Sequence, residues 1–120
     1  MINLPRILVV DKDRDTRDFI SMALADEGYE AYAAEGCRGA LDLIRSFAPT
    51  LLLLDMRTSI PQSKKMVDTY RQALGNHGRI VALTTSFDPD KVAQEVNADA
   101  YLSKPFGLDD LFDVVQRYSV

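Results

Sequence analysis

Four consecutive leucines at positions 51–54 run straight into an aspartate, Asp55. A strand so uniformly apolar needs cover on both faces, so it belongs at the centre of a sheet. Residues 7–10 and 80–83 form two more such runs, and 31–33 and 100–102 form two shorter, more mixed ones. Between them lie segments with helical spacing. The first carries Phe19, Ile20, Ala23 and Leu24 as an apolar face, with Gly28 as its stop. Ala40, Leu41 and Ile44 mark a second helix that ends before Pro49, and Met66, Val67, Tyr70 and Leu74 a third closed by Gly75. Val92, Ala93 and Val96 predict a short fourth; Leu108, Leu111, Phe112 and Val115 mark a fifth.

The pattern is β-α repeated five times. Strands that alternate with helices imply a parallel sheet, because each crossover returns the chain to the same edge. With the uniform runs central and the mixed runs at the edges, the predicted fold is an α/β, flavodoxin-like, doubly wound five-stranded parallel sheet. Its strand order is 2-1-3-4-5, with five helices. A chain of 120 residues supports one domain, and residues 1–120 are read as such, with no output domain and no repeat or linker. Whether that domain stands alone or is an excised fragment stays open.

In such a sheet the carboxyl ends of the strands share one edge, and ligands bind in the crevice there. Strand 1 ends in Asp11-Lys12-Asp13, strand 3 in Asp55, strand 4 in Thr84-Thr85, and strand 5 leads to Lys104-Pro105. A lone aspartate after a strand is an ordinary turn or cap residue. Carboxylates, a hydroxyl and an ammonium from four strand ends are a different matter. Together they can hold a phosphoryl group and a hard metal ion.

Composition narrows the alternatives. A net charge of −4 gives no basic footprint for nucleic acid. No run approaches the ~20 apolar residues of a membrane span, and the N-terminus is broken by Pro5 and Arg6. The lone Cys37 has no intrachain disulfide partner and reads as a structural residue; His77, the one histidine, lies in a glycine-rich turn far along the chain. A cytoplasmic protein is expected. No glycine-rich phosphate loop follows the first strand, which disfavours a flavin or nucleotide enzyme.

Along nearly its whole length the chain resembles the response-regulator receiver domains of two-component signalling, the CheY-like family. The resemblance rests on Ile7-Leu8-Val9-Val10-Asp11, Pro49-Thr50-Leu51-Leu52-Leu53-Leu54-Asp55, Val81-Ala82-Leu83-Thr84 and Tyr101-Leu102-Ser103-Lys104-Pro105-Phe106. It implies a phosphorelay module rather than an enzyme, with Asp55 accepting a phosphoryl group from a histidine kinase or phosphotransfer protein. Lys104 would pair with the phosphate oxygens, after a cis Lys104–Pro105 bond. The Thr84 hydroxyl would follow the phosphoryl group, and Tyr101 would turn inward as the switch. Mg²⁺ would sit on Asp11, Asp55 and the Arg57 backbone carbonyl. The Arg57 side chain and Ser86 occupy positions that influence dephosphorylation. Output would pass through the surface of helix 4, strand 5 and helix 5 to a downstream protein. Ala100 and Val114 replace the charged pair of one common receiver dimer, which argues against that dimer; Val114 is read as core.

Three departures stand out. Lys12 replaces the second acidic residue that binds the metal in the family. Counting Asp11, Asp55, Lys12 and Lys104, the site is formally neutral, and weak Mg²⁺ binding is expected. Asp13 is read as the N-cap of the first helix rather than as a replacement ligand. Ser59 and Ser63 stand where the family has Pro and Gly, with Pro61 displaced, so residues 57–63 are expected to take a different path. A positive φ at Ser63 would be strained. Two functions follow: a working phosphoacceptor with weakened metal dependence, or an atypical, phosphorylation-independent binding module in which Lys12 pairs with Asp55 in place of Mg²⁺.

Overall fold

The computed structural model describes residues 5–56 and 60–119. Its elements run β1 (Arg6–Val10), α1 (Arg14–Asp26), β2 (Glu30–Ala34), α2 (Cys37–Phe47), β3 (Leu51–Asp55), α3 (Ile60–Leu74), β4 (Arg79–Thr84), α4 (Pro89–Glu95), β5 (Ala100–Ser103) and α5 (Leu108–Tyr118), with a 3₁₀ turn at Gly75–His77. The five strands form one parallel sheet in the order β2-β1-β3-β4-β5. The uniform leucine run is central, and the two mixed runs are the edges, as burial on both faces demands.

Alternate side chains of the strands feed two cores. Leu8, Val10, Leu52, Leu54 and Ile80 pack with Ala40 and Ile44 of α2 and Met66, Val67 and Tyr70 of α3. Ile7, Val9, Leu51, Leu53, Val81 and Leu83 pack with Ile20 and Leu24 of α1 and Leu111 and Val115 of α5. Every leucine of β3 is fully buried, each worth ~1.5–3 kcal/mol relative to exposure. Local signals agree with this packing. Asp13 caps α1 by accepting from Thr16 N at 3.1 Å, Gly28 ends its turn at φ +91°, and Asp88 with Pro89 opens α4.

Two expectations need correction. Phe19 and Leu108 are exposed rather than part of their helices' buried faces. On each helix two residues one turn apart, Ile20 with Leu24 and Leu111 with Val115, suffice to meet the sheet. Ser63 is not in a strained loop. It lies inside α3, fully buried, and the positive-φ residues other than glycine among the described residues are Ala48 and Asn97. Pro61 is accommodated in the first turn of α3, where a missing N–H is of no consequence. Positions 57–59, including Arg57 and Ser59, lie outside the described residues. Val114 is half-buried against the α1–α5 core.

Candidate functional site: an acidic pocket bridged by Lys104

Each of the three central strands delivers a polar residue to the carboxyl edge directly after its apolar stretch. Asp11 follows β1, while Asp55 and Thr84 are the last residues of β3 and β4; they are 1%, 1% and 4% exposed. Parallel register holds them level, since Val10 pairs with Leu54 and Asp55 with Leu83. Lys104, just past β5, is fixed by its own N–H on the Thr84 carbonyl at 2.7 Å and precedes a cis peptide bond to Pro105. Its ammonium donates to Asp11 Oδ2 at 2.8 Å and to Asp55 Oδ1 at 3.2 Å.

Asp11 is held from a second direction, for its Oδ1 accepts the Asp13 N–H at 2.9 Å. The β1–α1 turn is itself clamped by Arg17. Its guanidinium donates to the Asp11 carbonyl at 2.9 Å and, at 3.4 Å, to that of Lys12. Sequence reading missed Arg17, because a helix-surface arginine carries no signal that it reaches back over the preceding turn. Thr84 Oγ1 accepts the Ser86 N–H at 3.0 Å. Thr84 and Asp55 line one cavity with Met56, Ser86 and Val92. Tyr101 is 38% exposed.

Lys12 behaves differently from Lys104. It is exposed and makes no ion pair among the described residues, whereas Lys104 is the ammonium set against Asp55. The pairing of Lys12 with Asp55 is therefore not the arrangement adopted. The formal neutrality of the site also changes meaning. Among the described residues Asp11, Asp55 and Lys104 sum to −1, and Lys12 adds its charge from solvent, where screening weakens it.

The donor set suits a hard cation at its minimum. Mg²⁺ keeps several waters and takes one or two carboxylates together with substrate phosphate oxygens, and Asp11 and Asp55 are two. Among the described residues no three His, Cys, Asp or Glu side chains are grouped for a metal. Arg57, whose carbonyl the family resemblance assigns to the metal, lies outside the described residues.

The family model "Response regulator receiver domain" matches residues 7–116. The chain belongs to that family. It is 36% identical over 111 residues to the response regulator MprA of Mycolicibacterium vanbaalenii, covering 88% of this chain and 46% of that protein. It is 26% identical over 115 residues to sporulation initiation phosphotransferase F of Bacillus subtilis, covering 94% of this chain and 92% of that protein. The chemotaxis protein CheY4 of Vibrio cholerae superposes with a TM-score of 0.85 at 28% identity, over 97% of this chain and 99% of that one. The chain thus spans about half the length of the MprA protein and nearly all of sporulation initiation phosphotransferase F and of the CheY4 chain. Receiver domains of this family are two-component signalling modules that generally bind Mg²⁺ at the acidic pocket. No helix among the described residues is long and apolar enough to cross a membrane.

Proposed function

We propose that this receiver accepts a phosphoryl group on Asp55 from a phosphohistidine of a sensor kinase or phosphotransfer protein. The observation that carries the reading is the Lys104 ammonium lying against both Asp11 and Asp55. A carboxylate oxygen of Asp55 forms the new bond to phosphorus. The P–N bond breaks, and its electron pair returns to the imidazole. The obstacle is repulsion between a carboxylate and an anionic donor. Lys104 relieves it, being already in place and anchored through its own backbone. Mg²⁺, held by Asp11 and Asp55, supplies further charge neutralisation when bound. The product carries more negative charge than the carboxylate it replaces and offers new acceptor oxygens. The Thr84 hydroxyl accepts from Ser86 N–H and keeps its own hydrogen to donate to the phosphoryl group. Tyr101, exposed in this state, turns inward behind it and shifts the α4–β5–α5 surface offered to a downstream protein.

A phosphorylation-independent binding module is the second reading, and Lys12 is the residue that favours it. The two separate in one experiment. Wild type, Lys12→Asp and Asp55→Asn are incubated with phosphoramidate and Mg²⁺, and their intact masses are measured. Gain of one phosphoryl group by wild type and none by Asp55→Asn is the expected result. Labelling of Lys12→Asp but not of wild type sinks the phosphoacceptor reading.

A further inference from the structure

Away from the acidic pocket, the flanks of α2 and α3 enclose an open groove of about 580 Å³. Its rim is basic. Arg38 and Arg45 of α2 and Lys65 of α3 line it against one carboxylate, Asp42, and its apolar lining is the half-buried Leu41 with the fully buried Met66. Arg38, Arg45 and Lys65 are exposed, and none of them forms an ion pair among the described residues. That is unusual company for a chain whose net charge is −4.

The two helices are joined across the groove by Cys37, whose thiol lies 3.6 Å from the Gln62 carbonyl. Burial pushes that thiol up, although the Lys65 and Lys12 ammonium groups act in the opposite direction.

We propose that the groove between α2 and α3 binds an acidic amphipathic helix of another protein, its carboxylates on Arg38, Arg45 and Lys65 and an apolar side chain against the half-buried Leu41. Charge complementarity selects the partner's sign, and three cations that form no ion pair among the described residues, set around Leu41, match one stripe of such a helix. Spacing selects its form. Arg38 and Arg45 stand two turns apart, about 10 Å along the axis, which is the spacing of two carboxylates seven residues apart on a helix lying alongside. A nucleic acid fits less well, because Asp42 interrupts the cations and the remaining surface is net negative.

The test uses the whole chain and a fluorescein-labelled helical peptide with a leucine stripe and glutamates elsewhere, followed by anisotropy. Companion probes are the same peptide with lysine for glutamate, a single-stranded DNA oligonucleotide and phosphatidylglycerol vesicles. The acidic peptide should bind, with affinity that falls as salt rises. It should weaken about tenfold or more in the double variant Arg38→Glu, Lys65→Glu, and again in Arg45→Glu. Lys91→Glu on α4 should leave it unchanged. All four substituted side chains are exposed, and circular dichroism confirms the fold of each variant. No binding of the acidic peptide, equal binding by the charge-reversed variants, or binding of DNA or vesicles in its place overturns the proposal.

Discussion

At the amino edge of the sheet, Arg71 donates to the Gly78 and Asn97 carbonyls and pairs with Asp99, whose carboxylate also accepts the Ile80 N–H at 2.7 Å. At the carboxyl edge, the Lys104 ammonium is set against two carboxylates that are almost fully buried. One cation and one anion at the first edge are joined by backbone groups that complete their hydrogen bonding. Close by, the Tyr70 hydroxyl donates to the Pro49 carbonyl at 2.7 Å, and Gly78 lies so near the Tyr70 ring that a Cβ there would stand 2.7 Å from it. Among the described residues, the second edge sets two buried carboxylates against one ammonium, in a place where charge is costly. The amino edge is built to stay as it is. The carboxyl edge gathers two buried carboxylates on one ammonium, the arrangement that the proposed phosphoryl transfer uses.

Replacing Lys104 tests that contrast most severely. Lys104→Met leaves Asp11 and Asp55 facing each other without the ammonium. We expect phosphoryl labelling to fall by about 100-fold or more, since a preorganised cation at the reacting oxygens is lost. Stability at neutral pH should fall by about 3 kcal/mol, because one partner of a buried charge group has gone. Adding Asp55→Asn should restore most of that stability and none of the labelling. Urea midpoints and intact mass decide it; a Lys104→Met protein as stable as wild type would remove the idea of a charge-loaded edge.

At the opposite edge the reverse pattern is expected. Arg71→Met removes three hydrogen-bonded contacts and should cost about 2 kcal/mol, with phosphoryl labelling unchanged. A loss of labelling there would show the two edges to be coupled. Tyr70→Phe should cost about 1 kcal/mol at neutral pH. Burial pushes the Tyr70 phenol far up, while in the unfolded chain a tyrosine titrates near ~10. Its folded value is the higher one. The contribution is therefore complete below about pH 10 and is lost as pH rises from there toward the folded value. Urea midpoints at neutral and strongly alkaline pH should fall for wild type more than for Tyr70→Phe; equal falls would show that Tyr70 is not the group responsible.

The contrast between edges also explains what could be read from the sequence. The convergence of Asp11, Asp55, Thr84 and Lys104 on one edge was legible because each lies at or just past a strand's carboxyl end, and parallel register brings those ends to one level. The leucine run fixed the centre of the sheet for the same reason, and Asp13 was legible as a cap from its place before a helix. Arg71 and Asp99 were not, since their meeting joins α3 to the turn before β5, and a long, flexible side chain leaves no periodic trace of where it lands. Arg17 escaped for that reason too. Ser63 was misread because the path after Asp55 was inferred from single missing Pro and Gly residues. The helical pattern of Met66, Val67 and Tyr70 extends back far enough to include it.

Lys12→Asp is the mildest of these tests and the most informative about the pocket. The side chain is exposed, so stability should move by less than about 0.5 kcal/mol. Its charge nevertheless lies in the turn that carries Asp11, and the substitution changes the local sum by two. Mg²⁺ affinity should rise about tenfold at low ionic strength, as an anionic oxygen replaces a repelling ammonium. If Lys12 acts only through solvent, the difference should shrink as salt rises toward a Debye length of roughly 3 Å at 1 M. If the new carboxylate coordinates the ion directly, the gain should persist in salt. Calorimetric Mg²⁺ titrations at two ionic strengths separate those cases. An unchanged Mg²⁺ affinity at both ionic strengths would remove Lys12 from the account of the phosphoryl pocket.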